Sequence, residues 1–348
     1  MQPTQILSRL ANEPTPLIDG DQVTFVWQGA KPPRLMGDFT NWETAPVELR
    51  EVAPELWALT LTFDADAYIE YGFLSGKKRL PDPLNPRRSP SGLGWDNHYF
   101  YMPAAAPNPL ADPAASFPAG TITHHELPAR PFLASTRRSV WLYQSPAAGP
   151  LPLWVVWDGK DYLERARLVA IMENMAAAGR ISPVALAFVQ HGGPNRSLEY
   201  NCSEATLGFV TETLLPFARQ HLTLLDPAAH PGAYGVMGAS MGGLMALYAG
   251  LRLPGIFGRV LSQSGAFAFG EYLPVVRDLI EYAPVAPLRI WMDAGKYEWL
   301  LRPNIDTYEQ LRRRGYDVAY RQFHAGHNYP AWRDELPHGL EHLLGGGK

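Results

Sequence analysis

The chain has 348 residues, of which 46% are hydrophobic and 18% charged, which is typical of folded globular proteins and long enough for two domains. A formal net charge of -4 argues against a general nucleic-acid binder, and no apolar run approaches the roughly 20 residues of a membrane span. The single cysteine, Cys202, excludes an internal disulfide and fits a reducing cytoplasm, where we expect the protein to be located.

Residues 1–102 are predicted to form an all-β domain. The first 20 residues contain a short possible helix and two prolines, and lack the basic and apolar regions of a secretory signal. Short β-like stretches then recur about every dozen positions, separated by turn residues, which is typical of a β-sandwich of about 100 residues. The predicted strands are 23–27, 34–39, 57–63 and 68–74.

A second domain is predicted at 121–348, after a linker at 103–120 that is rich in Pro and Ala and has no periodicity. From residue 121 onward, strands alternate with helices of ten or more residues, which predicts a mainly parallel, doubly wound α/β sheet. Ligands of such sheets bind outside the carboxyl ends of the strands. The predicted strands are 121–127, 139–145, 153–157, 184–190, 233–237, 259–263, 289–292 and 318–323. The predicted helices are 162–178, 204–221, 241–251, 271–281, 304–314 and 332–344.

The motif Gly238-Ala239-Ser240-Met241-Gly242 lies between a short apolar strand and a helix. Flanking glycines at such a junction permit a sharp, strained turn that exposes a serine hydroxyl at the carboxyl edge of the sheet. The bare motif is expected by chance in roughly one chain in ten of this length, and a glycine-rich turn with a solvated serine is the alternative. The strand and helix on either side favour a nucleophile at Ser240.

A serine nucleophile needs a base, and the best candidate is His327, which follows the last strand and precedes the last helix. His324, three residues earlier, is its competitor. A carboxylate must hold the histidine in one tautomer, and chain order points to the segment after strand 289–292. Glu298 in the loop is preferred there, and Asp293 at the strand end is the alternative.

An oxyanion hole requires two backbone donors. The first is predicted to be the N–H of Met241, at the start of the helix that follows the serine. The second is predicted in the loop after strand 153–157, from the N–H of Lys160 or of Gly159. An ordinary turn ending in a helix cap at Asp161 is the alternative for that loop.

The amino-terminal domain resembles glycogen-binding-like early-set sandwiches, and equally the amino-terminal domain of enterochelin esterases. The resemblance rests on the run Gly37-Asp38-Phe39-Thr40-Asn41-Trp42, on Trp57, on the strand 68–74 and on Asp82-Pro83. Tryptophans of such domains can stack on sugar rings. A core or turn position is the favoured interpretation for Trp27, Trp42 and Trp57.

The carboxyl-terminal domain resembles the esterase D-like α/β-hydrolases and, within them, the enterochelin esterases, which open the trilactone of catecholate siderophores. The matching residues are Asp158-Gly159, Gly238 to Gly243, Gly295 to Glu298, Gly326-His327, Trp332-Arg333, and the segment with Arg196, Glu199, Tyr200, Asn201 and 212–216. The resemblance implies an α/β-hydrolase domain that is preceded in sequence by a smaller immunoglobulin-like sandwich. It also implies a serine hydrolase with Ser240 as nucleophile, His327 as base and Glu298 as acid.

Two departures from the family pattern concern the site. Asn328 stands where many relatives carry Asp after the histidine, and Glu298 stands where esterase D-like relatives often carry Asp. Neither change prevents the chemistry, but Asn328 leaves open which substrate the site accepts.

The expected substrate is a small-molecule ester, with no cofactor, no metal site, no nucleic acid and no membrane as partner. A ferric triscatecholate is an anion, so it calls for basic groups such as Arg196, Lys160 and Lys296, while Tyr162, Tyr200, Tyr297 and Trp299 could flank its rings. Any iron would arrive with the substrate. A carbohydrate or feruloyl esterase with the same three residues, and a non-catalytic carbohydrate-binding protein, are the alternatives; the oligomeric state is open.

Overall fold

The computed structural model describes residues 1–113 and 119–346, and the chain divides into two compact units. The first unit comprises Met1–Pro107 together with two later segments, Gly295–Trp299 and Phe323–Ala331. The second comprises Asn108–Ala294, Leu300–Gln322 and the described residues from Trp332 onward. Part of the predicted linker, 114–118, lies outside the described residues.

The first unit contains an all-β sandwich, as predicted. One sheet has the strand order β1-β2-β6-β5, and the other has the order β4-β3-β7-β10-β9, with β8 paired to β7. The bounds are α1 (Pro3–Leu10), β1 (Leu17–Asp19), β2 (Gln22–Gln28), β3 (Arg34–Gly37), β4 (Val47–Glu48), β5 (Arg50–Ala53), β6 (Leu56–Thr62), β7 (Tyr68–Ser75), β8 (Lys78–Leu80), β9 (Arg88–Pro90) and β10 (Asp96–Tyr101). The four predicted strands of this domain are confirmed as β2, β3, β6 and β7.

Aromatic rings fill the sandwich core. Phe25 meets the edges of Tyr71 and Phe100 at centroid distances of 5.0 and 5.9 Å, the geometry that aromatic quadrupoles favour. Trp27 and Trp57 are half-buried and pack against this core, as their favoured interpretation predicts. The aromatic interior explains how a small domain buries enough apolar surface to fold.

The second unit is built on a sheet with the order β11-β12-β14-β13-β15-β16-β17-β18. The pairs β11–β12 and β12–β14 are antiparallel, whereas β14–β13, β13–β15, β15–β16 and β16–β17 are parallel. The bounds are β11 (Thr121–Pro128), β12 (Arg137–Gln144), β13 (Leu153–Trp157), β14 (Ala185–Val189), β15 (Tyr234–Ala239), β16 (Phe257–Gln263), β17 (Arg289–Gly295) and β18 (Asp317–Phe323). The predicted mainly parallel α/β sheet is confirmed.

Central strands of this sheet are buried along their whole length. All residues of β13, β14 and β15 are buried, which is why these strands read as continuous apolar runs rather than alternating ones. Helices pack on the sheet, and their bounds are α2 (Gly159–Glu164), α3 (Leu168–Ala177), α4 (Arg196–Tyr200), α5 (Glu204–Phe209), α6 (Leu215–His221), α7 (Met241–Arg252), α8 (Val276–Tyr282), α9 (Leu301–Arg314) and α10 (Tyr329–Leu344).

Three predicted helices differ from the structure. The predicted helix 162–178 is split into α2 and α3, because Arg167 takes a left-handed conformation with φ 50° between them. The predicted helix 204–221 passes through a π-helical turn at Val210–Leu214 just before Pro216, whose missing N–H cannot continue regular helical bonding. The predicted helix 271–281 begins only at Val276, after Pro274.

Candidate active site

Ser240 lies at the junction of β15 and α7, where the backbone is strained. Its φ and ψ are 58° and -123°, a region that residues with a side chain rarely occupy. Three backbone bonds hold this conformation: the Ser240 N–H donates to the Gln263 carbonyl at 2.9 Å, and the Ser240 carbonyl accepts from Leu244 and Ala266 at 3.0 Å each. The strain is therefore sustained by the sheet and by the first turn of α7, as a nucleophile elbow requires.

The glycines of the motif are required for space. A Cβ on Gly238 would lie 2.5 Å from the carbonyl carbon of Gly242, and a Cβ on Gly243 would lie 2.8 Å from the Oγ of Ser262. Real Cβ atoms do not approach so closely. The Gly-x-Ser-x-Gly-Gly pattern is thus the sequence signature of a strand and a helix crossing in close contact.

His327 and Glu298, both in the first unit, form a hydrogen-bonded pair. The Nδ1 of His327 is bonded to the Oε2 of Glu298, while the other carboxylate oxygen of Glu298 accepts the Gly295 N–H at 2.7 Å. The Glu298 side chain has no exposed surface, and that of His327 is 13% exposed. A carboxylate on Nδ1 favours the tautomer in which that nitrogen carries the proton and Nε2 carries the lone pair, which suits a general base.

The two alternative residues have other partners. Asp293 lies buried in β17, where one of its oxygens accepts from Trp291 Nε1 at 3.0 Å and Gln263 Nε2 at 3.2 Å. The Nδ1 of His324 lies 2.6 Å from the carboxylate of Asp66 in the sandwich. These contacts favour Glu298 over Asp293 and His327 over His324, although the catalytic assignments themselves stay predictions.

The predicted oxyanion donors lie at two loop-to-helix junctions. Met241 is the first residue of α7, where backbone N–H groups have no partner within the helix. Gly159 begins α2, and a Cβ there would lie 2.7 Å from the backbone of Phe188. The Lys160 N–H donates to the side chain of Gln190 at 3.0 Å, which favours Gly159 over Lys160 as the second donor.

Arg196 makes a bidentate ion pair with Asp158. Its Nε and Nη2 lie 2.7 and 2.6 Å from the two carboxylate oxygens, and its guanidinium lies over the ring of Tyr200 at 5.4 Å. The Asp158 side chain is 2% exposed, whereas that of Arg196 is 28% exposed. The other two predicted cations also have acidic neighbours: Lys296 binds Asp64 at 2.7 Å, and Lys160 lies 4.0 Å from Glu164.

The predicted substrate-binding tyrosines are engaged within their own units. Tyr162 is fully buried and donates to Gln263, while the Tyr200 hydroxyl is buried and accepts the Asp158 N–H. The Tyr297 hydroxyl donates to Asp64 at 2.7 Å, and its ring packs on Phe63. Trp299 differs, since it is exposed and its ring centroid lies 4.8 Å from that of His327. Ligand contact by the three tyrosines stays a prediction.

The sequence did not predict the exposed apolar segment that follows β16. Phe269 and Tyr272 are 41% and 52% exposed, and the segment that carries them starts where Ala266 donates to the Ser240 carbonyl. The two rings lie against each other at 6.2 Å. The aromatic residues of this stretch could have indicated a candidate surface for binding the rings of a ligand. The stretch is instead predicted to enter a helix at residue 271.

Comparison with known proteins identifies the family. Residues 135–343 match the Esterase family, described as "Putative esterase", which covers more than half of the chain. The chain belongs to this esterase family.

Two relatives of this esterase are iron(III) enterobactin esterases. The protein of Dickeya dadantii is 32% identical over 77% of this chain and 65% of its own length, and that of Escherichia coli K12 is 29% identical over 76% and 68%. The chain thus spans about two thirds of the length of the curated relatives that it matches. The resemblance to enterochelin esterases is confirmed.

A solved structure supports the same relationship. The crystal structure of the enterobactin esterase from Shigella flexneri in the presence of enterobactin superimposes with a TM-score of 0.76 at 25% identity, covering 92% of both chains. The predicted fold class, an α/β-hydrolase preceded along the chain by a smaller β-sandwich, is thereby confirmed.

Among residues 1–113 and 119–346 of this esterase, no group of three or more His, Cys, Asp or Glu side chains is placed to hold a metal ion. In the same part of the chain, no helix is both long and apolar enough to cross a membrane.

Proposed function

We propose that this protein is a serine esterase that hydrolyses the trilactone ester bonds of a catecholate siderophore such as ferric enterobactin. The observation that carries the proposal is the combination of a strained Ser240 elbow with a buried Glu298–His327 pair. The substrate is inferred from relatives that include the enterobactin esterases of Dickeya dadantii and Escherichia coli K12. Iron enters as part of the substrate.

The proposed reaction has two steps. His327 accepts the proton of the Ser240 hydroxyl as its oxygen attacks the ester carbonyl, and Glu298 stabilises the imidazolium that forms. The tetrahedral oxyanion accepts hydrogen bonds from the N–H groups of Met241 and Gly159. Its collapse breaks the ester bond, and His327 returns the proton to the departing alcohol.

In the second step, water attacks the acyl-enzyme while His327 takes its proton. The bond to the Ser240 oxygen then breaks, His327 returns the proton to that oxygen, and the carboxylic acid product leaves. Opening a cyclic triester in this way yields a linear product that still contains two esters, so the same residues can act on it again. The positive dipole end of α7 favours the developing negative charge in both steps.

The first test is Ser240→Ala with p-nitrophenyl acetate and ferric enterobactin as substrates. We expect turnover of both esters to fall by about 10⁴-fold or more, because the nucleophile is removed. Undiminished turnover by Ser240→Ala would contradict the catalytic assignment. A matched control is Ser262→Ala, since Ser262 is a buried serine of β16 that the mechanism does not use.

The second test concerns the substrate. Initial rates are compared for ferric enterobactin, iron-free enterobactin, its linear trimer, a feruloylated sugar and p-nitrophenyl acetate. We expect kcat/KM to be highest for a siderophore ester. A preference for the feruloylated sugar would overturn the siderophore assignment while leaving the serine esterase mechanism intact.

A further inference from the structure

The loops that carry Glu298 and His327 pack with the amino-terminal sandwich. Residues Gly295–Trp299 and Phe323–Ala331 belong to the same compact unit as Met1–Pro107, although about 200 residues separate them from it in sequence. The two loops also bond to each other, since the Lys296 N–H donates to the Phe323 carbonyl at 2.8 Å and the Tyr297 N–H to the Ala325 carbonyl at 3.1 Å. The acid and the base therefore lie on one double loop held by the sandwich.

The first attachment is a main-chain contact. Strand β7 of the sandwich bridges the second loop in a parallel pairing of Tyr68 with Ala325, and the Tyr68 N–H donates to the His324 carbonyl at 3.0 Å. Beside it, the His324 imidazole is bonded to Asp66. The chain is thus fixed to the sandwich three residues before His327.

The second attachment holds the first loop through Asp64. Its carboxylate accepts from Lys296 Nζ at 2.7 and 3.0 Å and from the Tyr297 hydroxyl at 2.7 Å. The Tyr297 ring packs against the aromatic core of the sandwich beside Phe63. The hydrogen bonds from Lys296 and Tyr297 lower the pKa of Asp64, so it is an anion at neutral pH. Glu298 follows Tyr297 directly.

The third attachment places a buried carboxylate beside the histidine loop. Asp38 is 5% exposed, accepts the Glu70 N–H at 2.8 Å and lies 3.5 Å from the Nδ2 of Asn328. A Cβ on Gly326 would lie 2.0 Å from the carboxyl carbon of Asp38, so the loop backbone rests directly on this side chain. Gly326 and Asn328 flank His327, so Asp38 contacts the chain on both sides of the base.

We propose that Asp38 and Asp64 of the sandwich are positioning residues, which orient the Glu298–His327 pair for proton transfer. The proposal rests on the proposed function, because it assigns the sandwich a part in the same reaction. The proposed role is positioning and requires no contact of either aspartate with substrate or with the reacting atoms. Their effect passes through the double loop, whose displacement by about 1 Å can reduce turnover by about 100-fold.

The test uses the full chain with Asp38→Asn and Asp64→Asn, which keep side-chain size and replace the carboxyl group with an amide. We expect kcat for p-nitrophenyl acetate to fall about 10- to 100-fold with KM changed less than threefold, because orientation is lost and binding is kept. Labelling of Ser240 by a fluorophosphonate should slow in parallel. Asp96→Asn is the matched control, since Asp96 is an exposed aspartate of β10 in the same sandwich, and it should leave both rates unchanged.

Three further variants separate positioning from general damage to the fold. Gly326→Ala should lower kcat as Asp38→Asn does, whereas Gly255→Ala, where the added Cβ meets nothing within 4 Å, should not. The charge-swapped double variant Asp64→Lys with Lys296→Asp should recover at least part of the kcat lost in Asp64→Asn. The low-field proton resonance of His327 Nδ1–H should shift or broaden in Asp38→Asn and Asp64→Asn but not in Asp96→Asn.

The outcomes distinguish this proposal from the proposed function. If Ser240→Ala is inactive while Asp38→Asn, Asp64→Asn and Gly326→Ala keep normal kcat and labelling rates, the positioning role is overturned and the serine esterase stands. If Ser240→Ala keeps full turnover, both are overturned. A lower melting temperature of Asp38→Asn and Asp64→Asn with unchanged kcat would assign the aspartates a purely structural role and would also overturn the proposal.

Discussion

His327 is bonded through Nδ1 to the carboxylate of Glu298, whose second oxygen is held by the Gly295 N–H at 2.7 Å. The carboxylate is fully buried, so this bond forms away from water, where it is stronger than at the surface. The arrangement favours the imidazole tautomer with its proton on Nδ1 and its lone pair on Nε2, which the proposed mechanism requires.

Glu298→Gln should lower kcat for p-nitrophenyl acetate by about 10³- to 10⁴-fold, because an amide no longer fixes the tautomer or stabilises the imidazolium. Asp293→Asn should lower kcat less than tenfold, since Asp293 bonds Trp291 and Gln263. Steady-state kinetics of both variants check the assignment. A larger loss of kcat in Asp293→Asn than in Glu298→Gln would reverse the choice of acid.

Arg196→Gln should destabilise the second unit by about 2–3 kcal/mol, because it leaves the buried Asp158 carboxylate without its bidentate partner. This corresponds to a fall of about 4–12 °C in melting temperature. The double variant with Asp158→Asn should recover part of the loss, since no buried charge remains. Scanning calorimetry of the two single variants and the double variant measures the coupling, and additive losses would contradict it.

Arg196→Gln also tests the predicted contact with an anionic substrate. If the guanidinium serves Asp158 alone, KM should change by a similar factor for ferric enterobactin and for neutral p-nitrophenyl acetate. A rise of tenfold or more in KM for the ferric anion alone would instead assign Arg196 a place in substrate binding.

Asp38 should contribute stability that is lost as pH rises above about 4, the ordinary carboxyl pKa, and melting temperatures measured from pH 5 to pH 9 follow this loss. Burial first, and the charge of Glu70 second, raise the pKa of Asp38 well above its ordinary value. A folded-state pKa above the unfolded one means that the stabilisation is complete below the ordinary carboxyl pKa of about 3.9 and is lost as pH rises through the folded pKa. Asp64, whose pKa is lowered, stays ionised across this range.

Two variants check this pH dependence through melting temperatures. Asp38→Asn should flatten the decline between pH 5 and pH 9, because the titrating group is gone. Asn328→Asp should steepen it, since a second carboxylate then replaces the amide nitrogen 3.5 Å from Asp38, while its other oxygen can still accept the Ala331 N–H. Identical slopes for wild type and both variants would show that Asp38 does not titrate in this way.

Cys202 should be unreactive and dispensable. Burial raises the pKa of its thiol to about 11, so only about one molecule in a thousand is a thiolate at pH 8. We expect labelling by 5,5'-dithiobis(2-nitrobenzoate) about 100-fold slower than for a free thiol, and Cys202→Ser should keep kcat within twofold. Rapid inactivation of the wild type by this reagent, absent in Cys202→Ser, would contradict the prediction.

The sequence alone predicted most of the strands and the strained turn at Ser240, because these depend on local patterns. Continuous apolar runs predicted β13 and β15, whose residues are buried on both faces. The glycines around Ser240 predicted the elbow, since strand and helix approach too closely there for any Cβ. The order of Ser240, Glu298 and His327 along the chain indicated the reaction class.

Only the tertiary structure decided which partners those residues have. Whether Glu298 or Asp293 bonds His327 depends on where each loop points, which no local pattern encodes. Asp158 forms an ion pair with Arg196, and Asp64 forms one with Lys296, which lies 232 positions away in the sequence. Such contacts between distant residues form only when the sheets bring their loops together, so the attachment of the acid and base loops to the sandwich became visible in the folded chain alone.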